Sequence, residues 1–165
     1  MDRRQQKTRK AVFDALGRLL KTKAFYDITV QDILDEANIG RSTYYDHFQS
    51  REDLLKAMCD DLFVHIAEGA QEHEGDIEGL FHHVLEHLGD EEDALFTVLR
   101  TSSRQLLLDR LYEELLPVID RMTGDGFRSK VVTAAFIGLA DWWVDNCESC
   151  TAGQAVERLS AVVQF

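Results

Sequence analysis

The chain has 165 residues, 45% of them apolar and 29% charged, with one Pro and ten Gly. That is room for one compact domain, or for a small head and a modest body sharing one core, and the apolar share excludes a disordered chain. A net charge of −12, taken as an average, counts against nucleic acid as a partner, because phosphate contacts need Lys and Arg.

The average conceals an asymmetry. Through Leu55, ten Lys or Arg stand against nine Asp or Glu, and the remaining 110 residues hold eight against 21. Arg3, Arg4, Lys7, Arg9 and Lys10 all fall in the first ten residues, against a single Asp2. A near-neutral head with a basic arm on an acidic body suits a molecule that grips DNA on one side, the body repelling the duplex. No N-terminal apolar segment ends in a cleavage site, and no stretch approaches the roughly 18 apolar residues of a membrane span. The expectation is a cytoplasmic protein with no membrane partner. Cys59, Cys147 and Cys150 are too few and too oddly spaced for a secreted disulfide scaffold.

Helix periodicity with few breakers predicts an all-α fold of about nine helices. The first spans about Gln5 to Thr22 and carries Val12, Phe13, Leu16, Leu19 and Leu20 on one stripe. Thr29 caps a short second helix from Val30 to Ala37, Asn38 takes the left-handed conformation that ends it, and Ile39 plugs the core. A third short helix, Arg41 to Phe48, follows after three residues. Ser50 opens a long fourth helix to about His73, with Asp53 reaching back to complete the cap. Asp76 caps a fifth through Leu88. Further helices are expected over Ala94 to Leu99 and Arg104 to Leu115, the latter ended or offset by Pro117. The last two run from Phe127 to Asn146 and, capped by Thr151, from Ala152 to Val163.

Two short helices joined by three residues, with an apolar residue in the turn, have the dimensions of a helix-turn-helix. The run goes further. Phe25, Thr29-Val30 with Ile33, Ala37-Asn38-Ile39, Ser42-Thr43-Tyr44-Tyr45-Asp46-His47-Phe48 and Ser50-Arg51-Glu52-Asp53-Leu54 keep their spacing without a gap. Over Ala15 to Leu55 the chain closely resembles the DNA-binding region of the TetR family of transcriptional regulators. Three positions depart from that pattern. Ala24 stands where the family usually has Gly, Asn38 replaces the turn Gly, and Gly40 replaces the Ser cap of the recognition helix. Asn tolerates positive φ, and Gly at an N-cap costs only a few tenths of a kcal/mol relative to Ser, so none alters the expected fold.

The resemblance implies a DNA-binding head at 1–49, followed by a regulatory and dimerisation body at 50–165. Within the head, Arg41 is placed to bond guanine O6 and N7 together. Ser42 is small enough to admit the helix into the groove, and Thr43 can touch a thymine methyl or a phosphate. Gln31 resembles a position from which family members reach a base edge, and Tyr45 and His47 look like the pair that grips phosphates. Thr29 and Arg51 lie at helix N-termini, where backbone N–H groups favour an anion. Tyr44 and Phe48 instead suit the interior of the head. The competing reading of the basic arm is a solvated tail, and of Arg41 a solvated surface residue.

One short recognition helix reads few base pairs, so specific binding needs a homodimer facing successive major grooves of double-stranded DNA. The body must supply the interface. Val131, Ala135, Gly138, Leu139 and Trp142 on the eighth helix, with Val156, Leu159 and Val163 on the ninth, are the candidates; ordinary intrachain core is the alternative. The family usually senses a small-molecule effector between body helices, for which Phe63, Phe81, Phe96, Tyr112, Phe136 and Trp143 are candidate linings; simple core is again the alternative.

His82, His83 and His87 include a His-x-x-x-His spacing that puts two rings on one face, as a metal requires. Cys147-x-x-Cys150 is half of a zinc or redox motif with no second half. No metal or cofactor is therefore assigned. No nucleophile, base and orienting group converge, and no phosphate-cradling Gly loop is present, so no enzyme is expected. The reading is a ligand-responsive repressor on a palindromic operator. Its rivals are an adaptor controlled by a protein partner and a metal- or thiol-responsive regulator; activation instead of repression depends on where the operator lies.

Overall fold

The computed structural model describes residues 3–72, 75–89, 94–101 and 103–163. Among them are nine α-helices, one 3-10 turn and no strand: α1 (Arg3–Leu20), the 3-10 turn (Phe25–Asp27), α2 (Val30–Ala37), α3 (Arg41–Tyr45), α4 (Arg51–Glu72), α5 (Ile77–Leu88), α6 (Ala94–Leu99), α7 (Arg104–Thr123), α8 (Gly126–Val144) and α9 (Ala152–Val163). The all-α expectation holds.

Local chemistry sets most of the boundaries. The Thr29 side chain accepts from the Asp32 N–H at 3.1 Å while Asp32 accepts from the Thr29 N–H at 2.8 Å, a reciprocal cap that starts α2. Asn38 ends it at φ 51°, and Ile39 packs partly buried against the core. At the start of α4 the Asp53 N–H donates to Ser50 Oγ at 3.0 Å. The Asp53 carboxylate reaches one residue further back than expected, to the Gln49 N–H at 2.9 Å. Asp76 and Thr151 cap α5 and α9 through the N–H groups of Gly79 and Gln154, at 2.9 and 3.3 Å.

Pro117 does not end α7, contrary to the expectation. It is exposed, and the helix continues through it to Thr123. The terminus is set by Gly124, whose φ of 64° turns the chain and whose N–H closes on the Asp120 carbonyl at 2.9 Å. On the exposed side the carbonyl freed by a missing Pro N–H can bond water, which lowers the penalty of a mid-helix Pro.

The buried apolar residues form one cluster running from Val12 in α1 to Val156 in α9. Head and body meet where α1 packs on α6. There the Phe25 N–H, in the 3-10 turn, donates to the buried Ser103 Oγ at 3.3 Å. Just beyond, Arg104 joins three helices. Its Nη1 and Nη2 bond the two carboxylate oxygens of Asp145 at 2.8 and 2.7 Å, Nη1 also reaches Asp141 Oδ1 at 3.1 Å, and Nε donates to the Leu99 carbonyl at 2.5 Å. That fork ties the start of α7 to the end of α6 and to the C-terminal turn of α8. The pairing with Arg104 holds the Asp145 carboxyl below the usual carboxylate range.

Candidate nucleic-acid interface

The buried side of the helix-turn-helix is aromatic. Tyr44 is fully buried, and its hydroxyl donates to the Ser50 carbonyl at 3.0 Å; burial pushes the phenol up to about 12. Phe48 lies 5.5 Å from Tyr44 and 5.9 Å from Phe13 between ring centroids, and the Arg9 guanidinium sits 5.0 Å over Phe13. With Tyr44 and Phe48 inside, the helix turns Arg41, Ser42 and Tyr45 outward and leaves Thr43 and His47 half-buried.

Arg41 and Gln31, the two candidates for reading bases from separate helices, are in contact. Arg41 Nη2 donates to Gln31 Oε1 at 2.9 Å, and Gln31 Nε2 donates in turn to Asp35 Oδ1 at 2.8 Å. The carboxamide thus relays between a guanidinium and a carboxylate, one turn apart on α2. Asp35 is not among the candidates that the sequence pattern offers. Its signal was available in the four-residue spacing from Gln31, which puts both on one helix face.

Thr29 and Arg51 are occupied by the fold. The Thr29 hydroxyl donates to Asp32 Oδ2 at 2.7 Å while also serving as the cap. Arg51 Nη1 donates to the carbonyls of Tyr26 and Ile28 at 2.7 and 2.6 Å, Nε bonds Glu52 at 2.8 Å, and the guanidinium lies 5.4 Å over the Phe25 ring. It pins the 3-10 turn to the start of α4.

Along α8, Phe127, Val131 and Trp142 are 79%, 45% and 43% exposed, with Ala134 and Gly138 also outward and Ala135 and Leu139 half-buried. On α9 the outward apolar residues are Ala161 and Val162, the latter at 81% exposed. Val156, expected at the interface, is 4% exposed in the intrachain core, and Leu159 and Val163 pack partly buried against that core. Amphipathicity accounts for Val156: α9 turns Ala152, Ala155 and Val156 inward at helical spacing, while Leu159 and Val163 stay half-buried.

Of the candidate effector linings, Phe81 and Phe136 are fully buried and stacked with centroids 4.0 Å apart. Phe96 is buried and Tyr112 half-buried, while Phe63 lies outside the described side chains. Trp143 is buried, its Nε1 donating to the Cys150 carbonyl at 2.8 Å. Thr133, which the sequence reading passed over, is fully buried beside this face with no hydrogen-bond partner for its hydroxyl. The His83 and His87 rings meet edge to face at 4.6 Å, and His82 Nε2 is 3.7 Å from Glu86. Among the described residues no group of three or more His, Cys, Asp or Glu is arranged to hold a metal ion. No described helix is long and apolar enough to cross a membrane.

Residues 12–58 match the family described as bacterial regulatory proteins, tetR family. Over 71 residues, 40% of this chain, it is 38% identical to the uncharacterized HTH-type transcriptional regulator YxbF of Bacillus subtilis. Over 68 residues, 41% of this chain, it is 31% identical to DhaS of Lactococcus lactis, an HTH-type activator of the dhaKLM operon. The matched stretches span 19% and 36% of those two relatives. A TetR transcriptional regulator from Streptococcus agalactiae aligns over 98% of this chain and 96% of its own length, with a TM-score of 0.70 and 28% identity. The helix-turn-helix head, residues 12–58, thus matches the tetR family of bacterial regulatory proteins, and the helical body behind it shares its fold with the Streptococcus agalactiae regulator.

Proposed function

We propose that the protein is a sequence-specific DNA-binding transcriptional regulator, acting in the cytoplasm as a homodimer on a two-fold-symmetric operator and as a repressor released by a small-molecule effector. The observation that carries this reading is an exposed arginine, Arg41, in the first turn of α3, braced from α2 by Gln31 within a head that matches the family. In this reading residues 1–49 bind DNA. Arg41 reads a guanine, Gln31 and Thr43 flank it, Ser42 admits the helix to the groove, Tyr45 and His47 hold phosphates, and Thr29 contributes by capping α2. Arg51 contributes chiefly by fixing the loop it already holds.

Residues 50–165 supply the dimer and the effector site. Val131, Gly138 and Trp142 are outward on one long helix, which suits pairing with a second copy. The buried Thr133 hydroxyl is an uncompensated polar group that an effector seated against Phe81 and Phe136 would satisfy.

Selection of DNA fragments by the purified protein tests the reading. It should recover paired half-sites whose centres lie about one helical turn apart or a multiple of it. Arg41→Ala should stay dimeric and lose about 1–3 kcal/mol of discrimination at one guanine; unchanged operator preference in that variant overturns the assignment of Arg41. The relative DhaS carries the word activator in its description, which favours activation as the second reading. A promoter fusion with the selected site decides between the two by the sign of the response.

A further inference from the structure

The turn between α8 and α9 holds two cysteines that the DNA-binding and dimer assignments leave unused. Asn146 to Cys150 is wound as a helical turn, the Asn146 carbonyl accepting from the N–H groups of Ser149 at 2.9 Å and Cys150 at 3.0 Å. Helical geometry puts residues three apart about 5 Å from Cα to Cα. That falls inside the span of about 4.4–6.8 Å that a disulfide bridges. Both cysteines are free thiols, and each donates only to a main-chain carbonyl: Cys147 Sγ to Val144 at 3.6 Å and Cys150 Sγ to Thr151 at 3.7 Å. These weak bonds do little to hold either sulfur in place. Cys147 is half-buried and Cys150 is 4% exposed, so the pair has one reachable member and one sheltered one. Cys59 differs from both, being enclosed in the core with its thiol pushed up to about 12 by burial.

We propose that Cys147 and Cys150 are a redox-active dithiol, and that its closure to an intramolecular disulfide by a peroxide weakens operator binding. The Cys147 thiolate attacks one peroxide oxygen; the O–O bond breaks, the leaving hydroxide takes a proton to become water, and Cys147 becomes a sulfenic acid. The Cys150 sulfur then attacks the Cys147 sulfur and expels the sulfenic oxygen as a second water. Two electrons pass from the sulfurs to the peroxide, and the two thiol protons end in water.

The turn is mechanically connected. It starts at Asp145, which the Arg104 fork ties to the end of α6, and α6 packs on α1 of the head. The Cys150 carbonyl also accepts from Trp143 in the body core. Closure takes both sulfurs off the Val144 and Thr151 carbonyls and locks the turn that bears on both contacts.

The second half of this proposal rests on the DNA-binding reading, and the experiment separates the two. The full-length protein is reduced, assayed on its selected operator by fluorescence anisotropy, then treated with hydrogen peroxide. Mass should fall by about 2 Da on closure, and alkylatable thiols of the unfolded chain should fall from three to one. The chain should run as a monomer on a non-reducing denaturing gel, and operator affinity should drop about tenfold and return with dithiothreitol. Cys147→Ser and Cys150→Ser should bind like the reduced protein and ignore peroxide, while Cys59→Ser responds normally. If the sheltered Cys150→Ser does not fold, Cys147→Ser carries the comparison. Oxygen adducts without a disulfide, a bridge between two chains, or closure with unchanged affinity each overturn the proposal. A reduced protein that retains no DNA overturns the regulator reading and the operator half with it, whereas mass and thiol count still decide the dithiol.

Discussion

Asp35 is a carboxylate close to the face proposed to meet DNA, and it holds Gln31, which holds Arg41. Two effects of removing it have opposite signs. Asp35→Ala lowers repulsion of phosphates and should raise affinity for every sequence alike, most at low salt. It also frees the carboxamide that braces Arg41, so the ratio of operator to scrambled-DNA affinity should fall, by about tenfold if the brace secures one bidentate guanine contact. Anisotropy on both DNAs at one salt concentration separates the effects; a rise in affinity with an unchanged ratio would mean that the carboxylate acts only as charge. Asp32 gives a pH test of the neighbouring cap. Hydrogen bonding to Lys23, and then to the Thr29 N–H and hydroxyl, holds its carboxyl well below the usual range. A group with a depressed folded pKa stabilises above its unfolded value, near 3.9, and that contribution disappears as pH falls through the folded value. The melting temperature of Asp32→Asn should therefore lie below that of the unaltered protein above about pH 4. The gap should close as the pH is lowered, and a gap that is flat with pH would remove Asp32 from the acid response.

At the scale of elements, the C-terminus of α5 depends on a close approach. A Cβ at Gly89 would lie 2.5 Å from Trp143 Cη2, so Gly89 is the seat of that indole and, beside the Phe81–Phe136 stack, a contact of the end of α5 with α8. Gly89→Ala should displace the ring and destabilise by about 1–3 kcal/mol, the range for overpacking. Chemical denaturation measures it, and a loss below the error of that measurement would show that the indole simply shifts aside. The caps were legible in the sequence because capping is local: Thr29, Asn38, Ser50, Asp76 and Thr151 each needed only their next few residues. Pro117 was not, since a Pro ends a helix only where its freed carbonyl lacks another partner, and that depends on exposure. The Arg104 fork was likewise hidden. Its partners Leu99, Asp141 and Asp145 lie on other helices, and no spacing in the sequence connects them.

For the whole molecule, the limit of legibility is α8, which is apolar on nearly every side. Val132, Phe136, Ala140 and Trp143 face the core, while Phe127, Val131 and Trp142 face out. Periodicity finds an apolar face but cannot separate one buried by the same chain from one covered by a second copy. The two fates predict different variants. Val131→Asp puts a charge on the outward stripe, and a buried unpaired charge at a subunit interface is strongly unfavourable. The variant should keep its helix content and melt cooperatively, yet sediment at 18.9 kDa, against twice that mass expected for the unaltered protein. If each head reads only a half-site, as proposed, the dissociated variant should also lose operator binding and keep the weak, salt-sensitive binding of a single head. Val156→Asp, at 4% exposed in the core, should instead lose folded structure at any concentration. A Val131→Asp protein that still sediments at the dimer mass would place the interface on another face of the body. An unaltered protein that sediments as a monomer and still selects paired half-sites would place assembly on the DNA itself.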